Sequence, residues 1–257
     1  MSSLKLTVLG SGTSMGVPTL GCHCAVCESP DPYDKRTRPS VLLSYASRNV
    51  VIDTTPDFRY QAMRARIDRL DAVIYTHAHA DHILGLDDIR PFNLKQKGAV
   101  PLYGAPETLA LLRRQFAYIF DEAPAESTVP LVELHEIDGP FDLFGATIIP
   151  VPAMHGSQPV LGFRIGSVAY LTDFSRVPES SKALLQNLDH FILDALRYVP
   201  HPTHSTVEQS LALVRELKPK HAWFTHICHD LGHGDANARL PENVRLSYDG
   251  LEFEVPL

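Results

Sequence analysis

Short runs of apolar and β-branched residues recur along the whole chain, interleaved with helical periodicity and polar turns. The runs predict strands over residues 4–9, 41–45, 50–52, 72–75, 146–151, 161–165, 168–171, 190–193, 221–224 and 246–255. Gly166-Ser167 and Asp249-Gly250 have the composition of two-residue hairpin turns. Apolar positions at helical spacing predict helices over 57–66, 107–120, 180–187 and 206–217, with Ser205 as the N-cap of the last. Hairpins interspersed with helices point to an α/β sandwich and away from a purely parallel doubly wound sheet. No repeat, charge block or low-complexity linker breaks the pattern, so the chain reads as one domain over 1–257. Residues 91–130 hold two helical pieces and many prolines between strand-rich regions. They read as an insertion, either a surface excursion or a cap over a site.

Composition narrows the function classes. With 257 residues, 44% hydrophobic and 21% charged, the chain can bury a real core, which excludes a disordered or fibrous protein. Lys+Arg 23 against Asp+Glu 30 gives a net charge of −7, which argues against general nucleic-acid binding. No apolar run is long enough to cross a bilayer, and the opening Met1-Ser-Ser-Leu-Lys5 lacks the apolar stretch of a signal peptide. The expectation is a cytoplasmic protein without a membrane partner.

Histidine occurs 13 times, and its placement carries the chemistry. The segment Tyr75-Thr-His77-Ala-His79-Ala-Asp81-His82 follows a predicted strand directly. In an extended loop, residues two apart point the same way, so His77 and His79 can grip one ion together. A turn after Ala80 would aim Asp81 and His82 at a neighbouring ion. His155, Asp173 and His226 each lie just past the end of another apolar run, where side chains leave the core for a shared edge. Imidazole and carboxylate suit Zn²⁺, Mn²⁺ or Fe²⁺, and a carboxylate such as Asp173 can bridge two cations where neutral imidazole cannot.

His77-Ala-His79-Ala-Asp81-His82, with downstream His155, Asp173 and His226, resembles the metallo-β-lactamase superfamily. Gly10-Ser-Gly-Thr-Ser-Met-Gly-Val-Pro18 and Val51-Ile-Asp53 match its N-terminal part. The resemblance implies an αββα sandwich with a dinuclear site at one end of the sheets. It implies that His77, His79 and His155 hold the first metal, that Asp81, His82 and His226 hold the second, and that Asp173 bridges them. Asp53 would then orient the ligand loop; on residue pattern alone, it serves equally well as a turn cap at a strand end. Diiron oxidoreductases of the superfamily tend to carry a carboxylate where His79 stands, so the histidine favours hydrolysis. A water between the two ions would ionise near neutral pH and attack phosphorus.

Cys22, Cys24 and Cys27 supply three thiolates in one tight loop, one short of a tetrahedral zinc site. In a reducing compartment such a cluster favours metal over disulfides. His229 is the preferred fourth ligand, with Cys228 its rival. This added arrangement, with Arg36–Ser40 and Tyr118-Ile-Phe120, looks like the PhnP group, the cyclic-phosphate phosphodiesterases of the carbon–phosphorus lyase pathway. The cofactors implied are two Zn or Mn ions in the active site and one structural Zn. The substrate implied is a small or cyclic phosphodiester, such as a ribose or nucleoside cyclic phosphate. His204, ahead of a predicted helix, matches the family's additional active-site histidine and is assigned, with Asp81, to catalysis; His201 is the fallback. Resemblance alone points to a homodimer. Competing readings are a tRNA 3′-processing endonuclease, a lactone or ester hydrolase, and a non-catalytic metal-binding scaffold. The first of these usually carries a protruding RNA-binding arm, and no Gly- and Lys-rich insertion of that kind is present.

Overall fold

Fourteen strands among the described residues pair into two sheets of the same design. The computed structural model describes residues 3–121 and 127–257. In chain order the strands are Ser3–Gly10 (β1), Ser40–Tyr45 (β2), Arg48–Ile52 (β3), Ala72–Ile74 (β4), Val100–Gly104 (β5), Val132–Glu136 (β6) and Phe141–Leu143 (β7). There follow Ala146–His155 (β8), Gln158–Ile165 (β9), Val168–Leu171 (β10), His190–Asp194 (β11), His221–Thr225 (β12), Val244–Leu246 (β13) and Glu252–Pro256 (β14). One sheet runs β14-β1-β2-β3-β4-β5-β6 and the other β13-β12-β11-β10-β9-β8-β7. In the first, β1, β2 and β3 are antiparallel and β3 to β6 parallel. In the second, β7 to β10 are antiparallel and β10 to β13 parallel.

The alternation of side chains along each strand builds three cores. The inner faces pack on one another, with Leu4, Leu6, Leu43 and Ile52 of the first sheet clustered with Ile148, Phe163, Val168 and Ile192 of the second. Outward-facing Phe191, Leu193 and Phe224 meet Val207, Leu213 and Leu217 of the helix Val207–Leu217. On the opposite side Val51, Val73 and Leu102 meet the helices Phe58–Arg64 and Pro106–Gln115. The result is the expected αββα sandwich. Each fully buried aliphatic or aromatic side chain contributes about 1.5–3 kcal/mol. Neighbours such as Phe191 and Ile192 serve two different cores, which is why β11 is apolar from Phe191 to Leu193.

Four expectations are corrected. Residues 91–130 are not an insertion: β5 lies inside the first sheet between β4 and β6, and the helix Pro106–Gln115 covers that sheet's outer face. Pro101 and the short run of β5 hid it, and Glu and His positions of the edge strand β6 weakened the next signal. Residues 122–126 of that stretch lie outside the described residues. Residues 246–255 are not a hairpin: β13 and β14 belong to different sheets, while Gly166-Ser167 does join the antiparallel β9 and β10. Asp249 pins that crossing instead, accepting hydrogen bonds from Ser11 N and Oγ and from Thr37 N and Oγ1, at 2.6–2.9 Å. The N-cap of Val207–Leu217 is Thr206, which exchanges bonds with Gln209 in a capping box; Ser205 Oγ is engaged with Ser210 Oγ at 2.7 Å. The helical pattern at 107–120 is broken at Phe116 into Pro106–Gln115 and Ala117–Phe120.

Candidate metal centre

The carboxyl ends of β3, β4, β8, β10, β11 and β12 deliver the polar residues to one edge of the sandwich. Asp53 follows β3, the loop Tyr75–His79 follows β4, His155 closes β8, Asp173 follows β10, Asp194 closes β11 and His226 follows β12. Three of them leave their strands with left-handed backbone: φ is 67° at Asp53, 52° at Asp173 and 58° at His226. Such non-glycine positions cost about 1–3 kcal/mol each and turn the chain sharply enough to bring the side chain back over the sheet edge. Asp81 and His82 sit on the one-turn helix Ala80–Ile83.

The sequence-predicted ligands converge in two groups that share one residue. His77, His79, His155 and Asp173 form the first, and Asp81, His82, Asp173 and His226 the second, with the ligand atoms of each group within 4.8 Å of one another. Within the second, His82 Nε2 is 3.3 Å from both Asp81 Oδ2 and Asp173 Oδ1, and His226 Nε2 is 3.3 Å from Asp173 Oδ2 and 3.5 Å from Asp81 Oδ2. His77 Nε2 is 3.9 Å from Asp173 Oδ2. Donor atoms about 2.0–2.3 Å from a tetrahedral ion stand about 3.3–3.8 Å apart, so these separations fit divalent ions. The buried Nε2 atoms of His77, His82 and His226 have no hydrogen-bond partner among the described residues, which is the state of a nitrogen aimed at a cation.

Nδ1 of His82 and of His155 is held by the protein, whereas Nδ1 of His226 has no hydrogen-bond partner among the described residues. His82 Nδ1 donates to Asp53 Oδ2 at 2.7 Å, and His155 Nδ1 donates to the Thr203 carbonyl at 2.8 Å. Each bond leaves Nε2 free to face a cation. Asp53 also accepts from Thr76 N and Oγ1, at 2.9 and 2.8 Å, and so fixes the start of the ligand loop. Burial keeps His155 neutral, with its pKa pushed down to about 4, and does the same to His77. Burial also opposes charge on His226, but Asp173 and Asp81 override it and raise the imidazole to about 9; His82 is raised by Asp81, Asp173 and Asp53 in the same way.

His204 lies beside the two groups. Its ring stacks on His226 at 4.5 Å and meets His155 edge-on at 4.6 Å. His201 sits behind it, 5.1 Å from ring to ring, and bonds Thr203 instead. Asp194, which sequence reasoning missed, accepts from His204 Nδ1 at 2.7 Å. Asp194 stands at the end of an apolar strand, and the positional rule that selected His155 and Asp173 would have found it.

At the far side of the same edge, Cys22, Cys24 and Cys27 surround His229, with Sγ–Nδ1 separations of 3.2, 3.5 and 3.4 Å. These are again the edges of a tetrahedron for one ion. Cys228 is not in the group; its Sγ accepts from Asp230 N at 3.4 Å, and burial pushes its thiol up to about 11. The two loops are clamped by the buried Arg36, which donates to the carbonyls of Cys228 and Leu231 at 3.1 and 2.7 Å and to Asp34 Oδ1 at 2.8 Å.

Fold and site together define a class. Residues 48–227 match the family described as "Beta-lactamase superfamily domain", and the chain belongs to that superfamily. The crystal structure of a new diphosphatase from the PhnP family is 51% identical and superposes with a TM-score of 0.94, covering 99% of this chain and 98% of that one. An octanoyltransferase of Porphyromonas gingivalis is 39% identical over 254 residues, 97% of this chain and 51% of that protein. A ribonuclease Z of Bradyrhizobium diazoefficiens is 31% identical over 142 residues, 54% of this chain and 47% of that protein. The chain thus spans about half the length of these curated relatives.

Proposed function

We propose that the protein is a dinuclear phosphodiesterase of small or cyclic phosphoric diesters, PhnP-like in chemistry. The observation that carries this reading is Asp173: one carboxylate belongs to both ligand groups, Oδ1 beside His82 and Oδ2 beside His226 and His77. His77, His79 and His155 would hold the first ion and Asp81, His82 and His226 the second, with zinc or manganese as candidates; Cys22, Cys24, Cys27 and His229 would hold a structural zinc. Ions in the two groups would supply activation of the attacking water and neutralise charge on the phosphoryl oxygens. The protein's own part is to fix the imidazoles through Asp53 and Thr203, and to hold His204 where it can protonate the departing oxygen.

A second reading is hydrolysis of a diphosphate linkage, favoured by the 51%-identical relative described as a diphosphatase. The same attack at phosphorus serves both, with phosphate in place of an alcohol as the leaving group. The RNA-processing reading is disfavoured by the net charge of −7 and by the hairpin between His155 and Gln158, which are a register pair closed by Gly156 and Ser157, so no arm leaves the sheet there.

The test is metal content together with turnover of bis-p-nitrophenyl phosphate, 2′,3′-cyclic nucleotides and a diphosphate-bridged dinucleotide. Wild type should bind about three ions per chain and cleave a diester, and Asp81→Ala should lose that turnover. Cleavage of the diphosphate alone selects the second reading. Metal binding without turnover of any of the three overturns both.

A further inference from the structure

Between the hairpin that carries His155 and the start of the helix Pro106–Gln115 lies a cavity of about 280 Å³. Ala78, which stands between His77 and His79 in the ligand loop, forms part of its wall, and so does Gln158. Gln158 is the register partner of His155, and directly opposed residues of an antiparallel pair project to the same face. The cavity therefore borders the first ligand group, where the rings of His79 and His155 are 5.0 Å apart.

Leu111, Pro159 and Val160 give the cavity apolar walls, and polar groups gather at the helix start. Ala105 is the N-cap of that helix and makes no side-chain hydrogen bond, so the first-turn amides have no capping oxygen. Thr108 is only 7% exposed. Its methyl group lies beside Gly104, and its hydroxyl has no hydrogen-bond partner among the described residues. Glu107 opens on the same cavity with no ion pair among the described residues. A buried unpaired hydroxyl, uncapped amides and a free carboxylate thus offer donors and an acceptor to one polar edge in an otherwise apolar space.

These groups choose among ligands. No lysine or arginine lines the cavity among the described residues, and the Glu107 carboxylate repels a phosphate. An alkyl chain fills the volume but leaves Thr108 and Glu107 unpaired. A flat heterocycle satisfies both, with its faces on the apolar walls and its edge at the helix start. The volume is at the lower end for small-ligand pockets, which suits one ring system and not a run of bases. We infer that this cavity is the subsite for the nucleobase of a nucleoside phosphodiester, and that Glu107 selects bases with an exocyclic amino group over uracil. An amino N–H of cytosine donates to the carboxylate, whereas uracil sets a carbonyl oxygen in the same place. The inference rests on the phosphodiesterase reading above and names the part of the substrate that does not react.

The test compares two substrates that differ at that edge. Wild type should cleave 2′,3′-cyclic CMP with kcat/KM about tenfold above that for 2′,3′-cyclic UMP, the difference lying in KM. A glutamine amide can turn either its oxygen or its NH₂ to the base, so Glu107→Gln should bring the two substrates within about twofold. Leu111→Trp, placed to fill the cavity, should raise KM for both by about tenfold. Independently of turnover, NMR titration with cytidine should shift the backbone amide resonances of Glu107 and Thr108, and uridine should need about tenfold more nucleoside to do the same. Equal kcat/KM for the two nucleotides in the wild type, or a folded Leu111→Trp enzyme with unaltered KM, overturns the inference and leaves the phosphodiesterase reading standing. Should Leu111→Trp fail to fold, the wild-type ratio and its loss in Glu107→Gln decide. A wild type that cleaves no diester rejects the phosphodiesterase reading, and the titration alone then decides the cavity: shifts at Glu107 and Thr108 that favour cytidine keep it as a nucleobase site, and their absence overturns it.

Discussion

Asp53 Oδ2 and His82 Nδ1 stand 2.7 Å apart, and neither side chain has any exposure to solvent. The pair joins the end of β3 to the helix that follows the ligand loop, so a carboxylate outside the ligand set decides how a ligand is aimed. Replacing Asp53 by Asn keeps the shape and removes the charge. Such a change is expected to weaken ion binding at the second group about 10–100-fold, leaving the first ion in place. Metal titration of Asp53→Asn followed by isothermal calorimetry checks this, and unchanged affinity would return Asp53 to a turn-capping role.

The metal-free centre should titrate in a particular direction. His226 is raised to about 9, and His82 lies well above the ordinary histidine value, because Asp173 and Asp81 outweigh the burial that opposes charge. Groups raised in the folded state stabilise it fully below their unfolded pKa, and that stabilisation is lost as pH climbs through the folded value. Metal-free protein should therefore lose thermal stability between about pH 6.5 and pH 9, and metal-loaded protein should not. Loading the second group must displace those protons, so proton release measured in a weakly buffered indicator solution should accompany binding at pH 7. The same Tm–pH slope with and without metal would contradict this assignment.

The cysteine group is expected to act on stability before activity. Its four side chains bring residues 22–27 together with 229, only three positions beyond His226. Cys24→Ser should lose one ion per chain and destabilise the fold by about 4 kcal/mol, as loss of a structural metal does. Denaturation followed by circular dichroism, with metal analysis on the same samples, measures both. Loss of the ion with no change in midpoint would mean that the site does not hold the fold.

Arg36 should prove more important than any exposed arginine. Its guanidinium is buried on Asp34 and on the carbonyls of Cys228 and Leu231. Arg36→Met leaves Asp34 as an unpaired buried charge, and about 3–5 kcal/mol is the expected cost. Urea denaturation of Arg36→Met against a control such as Arg59→Met reads the difference; equal midpoints would show the clamp to be dispensable.

Much of this protein is determined by local sequence. Strand and helix periods are short-range properties, so an α/β sandwich and most of its elements follow from the pattern of apolar positions, while the αββα layering was implied by the family resemblance. The ligand set is legible for the same reason, because a polar residue immediately after an apolar run must emerge at the sheet edge. Tertiary structure decided what that pattern does not encode. Whether β13 and β14 share a turn or part between two sheets depends on Asp249 finding Ser11 and Thr37, more than two hundred positions away. That β5 enters the sheet despite Pro101 depends on its parallel neighbours β4 and β6. The aim of each imidazole rests on Asp53, Asp194 and the Thr203 carbonyl, and on left-handed turns at Asp53, Asp173 and His226. Hydrogen bonds between distant segments and single backbone rotations leave no period in a sequence, and they exist only once the two sheets have packed.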